Sequence, residues 1–426
     1  MMFGFLHPYI MAKNSYLSGH PILCQLLSYI PRDLVAESVS AHQSDRYYKT
    51  MTTFKQLVFV FYGVVMRCKS LNRLCKNLLL LEDKLTYLGI GQLPAVSTLS
   101  DANMNRSSEV FASIYQKLYA HYQKQLKPSL CYFMEEVDSD KIFCFDSSTI
   151  TLFTDIFKGA GRNTLTGKKK GGLKLHAKMP MMGFVPDLVT LSEAACNDKS
   201  FLGQLEVMKG GIYIFDKGYV HYKVWQDWTN QGVFYVTRLN ENAQYEVLSG
   251  QADHISEYAN GGIISDQRIM LKGGLEARLV IFKDYEKGKV LHFVSNMFDY
   301  DAMTIVQLYK YRWNIEVLFK QIKQNFELCY FFSDSTEGIK TQVWVVLIAQ
   351  LIFSVIHRQI KEAENFATLV SVASNNMTSY VGLVKIMQNG RLKPNERKLE
   401  IVQLQLFEIQ GEGTFDKQPK NSLNTS

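Results

Sequence analysis

Two aspartates close similar runs. Asp146 follows the apolar residues IFCF and precedes Ser147, Ser148 and Thr149; Asp216 follows IYIF and precedes Lys217 and Gly218. A carboxylate at the end of a buried run is costly to desolvate unless it meets a cation. Taken alone, each reads more simply as a turn residue or a helix N-cap. A third carboxylate, Glu316, shares its segment with Tyr309, Arg312 and Lys323. Spacings of three, four and seven residues set these four on one side of a helix. As a charge pattern, a solvated face with an Arg312–Glu316 ion pair accounts for them equally well. Two short Asp side chains and a longer Glu would nevertheless suit Mg²⁺, which takes a few carboxylates and fills its other positions with water or phosphate oxygens.

Positioning these residues requires a particular set of elements. Residues 1–130 read as helical, with apolar spacings of three and four in FKQLVFVFYGVVMRC, SLNRLCKNLLLL and SEVFASIYQKLYAHYQKQL. Near Asp140 the pattern changes. KIFCFDSSTITLF, GLKLHAKMP, GFVPDLVTLSEA, GGIYIFDKG and GVFYVTRL read as strands, and HYKVWQDWTNQG as a helix between the last two. Residues 240–297 form short strands with Gly-rich turns, a β-rich insertion. One long helix follows, DAMTIVQLYKYRWNIEVLFKQIKQNF, with Asp301 as N-cap and Leu308, Ile315, Phe319, Ile322 and Phe326 as the stripe that packs on the sheet. A further helix is expected over about 338–363. From about 411 the sequence loses periodicity and reads as a tail.

The spacing Tyr309-x2-Arg312-x3-Glu316-x6-Lys323 matches the Y-R-E-K signature of DDE transposases from bacterial insertion sequences. IFCFDSST resembles that family's first-Asp motif and FDKGY its second. The resemblance runs over about residues 140–360. LLSYIPRDLV, SDRYYKTMTTFKQLV and STLSDANMNRSSEVF are similar to the domain that precedes the core in one branch. The resemblance implies an α/β fold: a ribonuclease H-like mixed sheet flanked by helices, with a β-rich insertion and an all-α N-terminal domain. It divides the chain into a DNA-binding domain over 1–130, a catalytic domain over 140–363 and a C-terminal segment over 364–426. The implied activity is metal-dependent DNA cleavage and strand transfer, moving an insertion sequence by cut-and-paste. Asp146 would bridge two Mg²⁺ (or Mn²⁺) ions, Asp216 would hold one and Glu316 the other. Tyr309, Arg312 and Lys323 would contact phosphates of the transposon end, with Arg238 as a further DNA contact. The implied partners are double-stranded DNA (terminal inverted repeats and target) and a second copy of the chain, as a homodimer in the DNA complex. A nuclease of the same fold without strand transfer, or a catalytically silent repressor, would share most of these features; the three intact carboxylates argue against the second.

Lys and Arg total 47 against 40 Asp and Glu, a formal net charge of +7, mildly basic and compatible with nucleic acid. Between Lys158 and Lys178 seven cations occur with no acid; among them Lys168, Lys169 and Lys170 are candidate phosphate contacts on an exposed loop. SLNRLCKNL and STLSDANMNR admit a helix-turn-helix, and an ordinary bundle accounts for them as well. Seven cysteines without a CxxC pair speak against a zinc ribbon or disulfide framework. HExxH is absent, and GRNTLTGKKKGG lacks the P-loop spacing. The N-terminus does not read as a signal peptide, and the longest apolar runs fall short of the roughly 18 residues of a membrane span. The expected setting is the bacterial cytoplasm, at the nucleoid, with no membrane partner.

Overall fold

The computed structural model describes residues 19–127, 137–152, 158–162, 169–181, 183–196, 198–203, 205–240, 242–251, 256–258, 261–361 and 365–389. Six helices come first: α1 (Ile22–Leu27), α2 (Arg32–His42), α3 (Thr53–Val65), α4 (Leu71–Leu78), α5 (Val96–Asn105) and α6 (Glu109–Leu126). Ser70 and Thr52 cap α4 and α3 by accepting a backbone N–H. The two segments that suggested a helix-turn-helix are α4 and α5. Residues 79–95 separate them, whereas that motif joins its helices through a turn of three or four residues. The motif is therefore not formed.

The remaining elements are β1 (Ile142–Leu152), β2 (Lys158–Arg162), β3 (Lys169–Pro180), β4 (Leu188–Glu193), α7 (Lys199–Leu202), β5 (Ile212–Ile214), α8 (Tyr222–Asn230), β6 (Phe234–Arg238), β7 (Tyr245–Gln251), β8 (Ser256–Tyr258), β9 (Gly261–Leu271), β10 (Leu275–Asp284) and β11 (Lys289–Ser295). Helices α9 (Ala302–Lys310), α10 (Trp313–Phe326), α11 (Thr336–Gln359), α12 (Phe366–Asn375) and α13 (Leu383–Asn389) follow. β1 pairs antiparallel with β3, and β3 with β4, while β1, β5 and β6 run parallel. The order β4-β3-β1-β5-β6 is the expected ribonuclease H-like mixed sheet. The insertion is not a separate layer. β11 pairs antiparallel with β6, and β10, β9 and β7 continue outward, so the insertion extends the core sheet. The segment 158–162, read from sequence as loop, is strand β2 on the edge of β3.

The long helix expected over 301–326 is two helices. Asp301 caps α9 as expected, its side chain accepting from Met303 N–H at 2.9 Å. At 311–315 the backbone bonds tighten: Tyr311 donates to Leu308, Arg312 to Tyr309 and Asn314 to Tyr311. Such i→i+3 bonding eclipses residues three apart and breaks the regular helical phase.

Helix α11 is long and apolar enough to cross a membrane by length and composition, the one such helix among the described residues, and 94% of that stretch is buried inside the protein. A helix apolar on all sides belongs in a core. Two of its glutamines have partners within the protein, while the buried Thr341 hydroxyl has none among the described residues. Gln350 donates to Gln321 of α10, and Gln342 pairs with backbone groups of Tyr330 and Phe332. α3, α5, α6, α10 and α12 all pack on α11, so the N-terminal helices share one core with the helical layer over the sheet. The buried Arg106, bonded to Gln56 and to the Ser44 and Met51 carbonyls, ties the α5–α6 junction to α3. The region expected as a C-terminal segment contributes α12 and α13; α1 docks beside it, Ile22 N–H donating to Ser379 O and Leu23 N–H to Met377 O. The tail expected from 411 lies outside the described residues.

Gly338, in the first turn of α11, is the close approach on which this docking depends. A Cβ there would lie 2.4 Å from Ser333 Cβ and 2.9 Å from the Asn103 carbonyl oxygen of α5. Gly338→Ala is expected to destabilise the protein by about 1–3 kcal/mol through overpacking, although alanine is the better helix former by about 1 kcal/mol. Thermal unfolding checks this; a stabilised variant would show that the α5–α11 contact is loose.

Candidate active site

Asp146 and Asp216 reach the site by the same local device. Each follows an aromatic-x-aromatic run, Phe143-Cys144-Phe145 and Tyr213-Ile214-Phe215. Side chains alternate across a strand, so the aromatics fall on one face of the sheet and the aspartates on the other. β1 and β5 pair in register, Phe143 beside Tyr213. Phe143 stacks on Tyr213 at 5.3 Å between centroids, and Phe145 on Phe215 at 4.8 Å. These stacks on the reverse face fix the two aspartates relative to each other. The sequence carries the signal as a repeated pattern, but the pairing that gives it meaning is tertiary. Asp146 lies inside β1, as the reading of KIFCFDSSTITLF as one strand expects: β1 continues to Leu152 along β3, and Asp146 lies just past the point where pairing with β5 stops. Asp216 lies two residues past the end of β5 and leads into a short turn at Lys217–Tyr219.

Glu316 stands in the first turn of α10, whose Ile315, Phe319, Ile322 and Phe326 are buried as expected. The tight turn at 311–315 brings Tyr309 and Arg312 over the aspartates. Arg312 Nη1 donates to Asp146 Oδ2 at 3.3 Å, and its Nη2 lies 2.5 Å from Glu316 Oε1. Tyr309 Oη donates to Asp216 Oδ1 at 3.3 Å, as does Arg238 Nη2 from the end of β6. Lys323 Nζ donates to the Thr149 carbonyl at 2.9 Å. Tyr309, Arg312, Glu316, Lys323, Arg238, Asp146 and Asp216 therefore come together. Arg312 and Arg238 here hold carboxylates, and each keeps a buried Nε–H without an acceptor.

The electrostatics separate the two aspartates. Burial pushes the Asp146 carboxyl up to about 6, against the lowering effects of the Ser147 N–H and Arg312; the neighbouring Asp216 and Glu316 charges add to the rise. Asp216 lies below the usual carboxylate range. Burial alone would raise it, but the Lys217 N–H, Arg312 and Arg238 outweigh that cost. A cavity of about 490 Å³ opens in front of Asp146 and Glu316, lined also by Lys320, Lys323 and Gln324. A second, of about 560 Å³, begins beside Asp216 at Lys217 and is lined by Asn240, Gln244 and Lys272. Sequence reasoning did not name Lys320, whose place follows from the fold.

Among the described residues no three metal-ligating side chains converge on one point. The donor set still fits hard divalent ions held pairwise. Asp146 and Glu316 already share one cationic centre, the Arg312 guanidinium, and Asp216 faces Asp146 closely enough to raise it. Of the basic run, Lys174 and Lys178 are not on a DNA-facing loop. Both are largely buried in ion pairs, Lys174 with Asp198 at 3.1 Å and Lys178 with Asp187 at 3.0 Å. Lys169 and Lys170 open strand β3 rather than sitting in a loop, and Lys168 lies outside the described residues.

A carboxylate set on a ribonuclease H-like sheet, completed by a Glu from a helix, defines a class of DNA-processing enzyme. Residues 138–352, half of the chain, match the family described as Transposase DDE domain, and the chain belongs to that family: it is a DNA transposase. Residues 18–91 match a domain of unknown function, DUF4372. The chain is 26% identical over 270 residues to the putative transposase y4zB of Sinorhizobium fredii, covering 62% of this chain and 72% of that protein. It is 28% identical over 163 residues, 36% of each chain, to transposase InsG for insertion sequence element IS4 of Escherichia coli. Among solved structures, the piggyBac transposase synaptic complex with hairpin DNA aligns over 95% of this chain and 88% of that one, at 11% identity and a TM-score of 0.45.

Arg312→Ala is expected to destabilise the fold more at about pH 8 than at about pH 5. The folded Asp146 carboxyl, raised from near 4 to about 6, is protonated at the lower pH and needs no cation there. As pH rises through about 6 it ionises, and the three carboxylates then face one another with one guanidinium fewer. Urea unfolding midpoints across this range check the effect; a difference from wild type that does not change with pH would mean that Arg312 contributes packing only.

Proposed function

We propose that Asp146, Asp216 and Glu316 are the metal ligands of this transposase, and that the chain cleaves and joins the ends of an insertion sequence there. The observation that carries the reading is Arg312 touching Asp146 of β1 and Glu316 of α10 at once, with Asp216, just past β5, close enough to act on the Asp146 charge. Two divalent ions, Mg²⁺ or Mn²⁺, would be held with Asp146 shared between them, Asp216 on one and Glu316 on the other. When bound, such ions supply an activated attacking oxygen and stabilise the leaving one. The residues of the chain then have separate tasks. The aromatic stacks behind β1 and β5 hold the aspartates apart at a fixed spacing. Arg312 and Arg238 present planar donor forks suited to phosphate oxygens, and Lys323 a point charge at the cavity wall. Tyr309 braces both guanidinium groups, whose carbons lie 5.6 and 5.8 Å from its ring centroid.

The substrate in this reading is double-stranded DNA, terminal inverted repeats and target, bound by a homodimer in the bacterial cytoplasm at the nucleoid. Lys168, Lys169 and Lys170 would add phosphate contacts that do not depend on sequence. Helices α1–α6 would contribute to end recognition from their place on the shared core.

Each of Asp146→Ala, Asp216→Ala and Glu316→Ala is expected to abolish end cleavage and strand transfer in Mg²⁺ and in Mn²⁺ while leaving end binding largely intact. Gel-resolved cleavage and joining of a labelled transposon end, beside a mobility-shift titration, are the measurements. Wild-type cleavage by any one variant removes that residue from the site. Cleavage without joining by the unmodified protein would make it a nuclease.

A further inference from the structure

The reverse face of β1 carries a polar cluster that the carboxylate triad does not use. Ser147 lies in register opposite His176 on β3. Its N–H donates to Asp146 Oδ1 at 2.8 Å, and its hydroxyl, on the other face of the strand, donates to Asp198 Oδ1 at 2.8 Å. The same Asp198 oxygen lies 3.1 Å from Lys174 Nζ and 4.0 Å from His176 Nδ1. Lys174 also donates to the Cys196 carbonyl at 2.8 Å. One carboxylate therefore gathers two strands, and the segment before α7 is tied down over them directly behind Asp146. The surroundings are aromatic: Phe201 stacks on His176 at 5.0 Å and packs edge-on against Phe145 at 6.1 Å.

A partly buried ion pair is weak evidence for stability, because desolvation offsets most of its attraction. What this pair does supply is a fixed position for Ser147. Beyond Cys144 the strand β1 has lost β5 as a neighbour, so at Asp146 it is held from one side only. We infer that Asp198, itself held by Lys174, is a positioning residue that acts through Ser147 to hold the Asp146 carboxylate in its metal-binding orientation. Groups hydrogen-bonded to a metal ligand fix its rotamer and basicity, and their loss typically lowers metal affinity or activity by about 10–100-fold; here the Ser147 N–H is that group and Asp198 stands one hydrogen bond behind it, so the lower end of that range is the expectation. The inference rests on the proposed metal role of Asp146.

The test is calorimetric titration of Mn²⁺ into the full chain without DNA, for Ser147→Ala, Asp198→Ala and Asp198→Asn, each alone and combined with Asp146→Ala. Ser147→Ala and Asp198→Ala are expected to weaken Mn²⁺ binding about tenfold. Asp198→Asn, which keeps an acceptor for the Ser147 hydroxyl, is expected to lose less. In the Asp146→Ala background none of the three should weaken binding further, since the effect runs through Asp146. Unchanged Mn²⁺ affinity in Ser147→Ala and Asp198→Ala, with a lowered unfolding midpoint, overturns the positioning role and leaves the metal role standing. Further weakening in the Asp146→Ala background overturns it as well. Unchanged affinity in Asp146→Ala itself removes the metal role and this inference with it. Ser147→Ala deletes only a hydroxyl, so it decides the question even where Asp198→Ala fails to fold.

Discussion

Three carboxylates cannot be packed against an apolar sheet without cations, and the contact of Arg312 with both Asp146 and Glu316 is the interaction on which the rest of the site depends. At about 4 Å two unit charges interact by roughly 4 kcal/mol at an effective dielectric of about 20, so a carboxylate without a cation here would be protonated or displaced. The chain meets the constraint twice, with Arg312 over Asp146 and Glu316 and with Arg238 on Asp216. The result is a site that is nearly neutral by itself but made of groups suited to a more highly charged assembly. Its carboxylates suit divalent ions and its guanidinium groups suit phosphates.

Placing Arg312 there dictates much of the architecture. The turn at 311–315 interrupts what would otherwise be one helix, and its tighter bonding eclipses residues three apart, Tyr309 and Arg312 among them. α10 must then lie close against β1, and α11 provides the support, with Gln350 reaching Gln321 of α10. α11 is covered in turn by α3, α5 and α6. The N-terminal helices are therefore part of the platform under the site, and a change at their contact with α11 has a route to the three carboxylates through packed side chains.

The reverse face of the sheet has a parallel role. Phe145 on Phe215 and Phe143 on Tyr213 lock β1 to β5, and Asp198 with Lys174 locks β1 to β3 past the end of β5. One face carries the carboxylates and the other supplies the rigidity. This is why two cations of the basic run, Lys174 and Lys178, are turned inward. Their register positions on β3 place them among structural partners rather than on a surface open to DNA.

The sequence by itself determined what is local. It specified the three carboxylates, the residues at helical spacing around Glu316, the strands ending or passing at Asp146 and Asp216, and the β-rich stretch before α9, because period-two and period-3.6 patterns and the chemistry of Asp, Glu and Arg are legible residue by residue. Only the tertiary structure decided the rest. It broke the helix at Tyr311–Arg312, fused the insertion to the core sheet through β11 and β6, buried α11 as a core helix and made the two aromatic-x-aromatic-Asp runs into stacked partners. In each case the deciding energy is a contact between residues far apart in the chain, an ion pair, a ring stack or a shared strand edge, and no local pattern carries the identity of a distant partner.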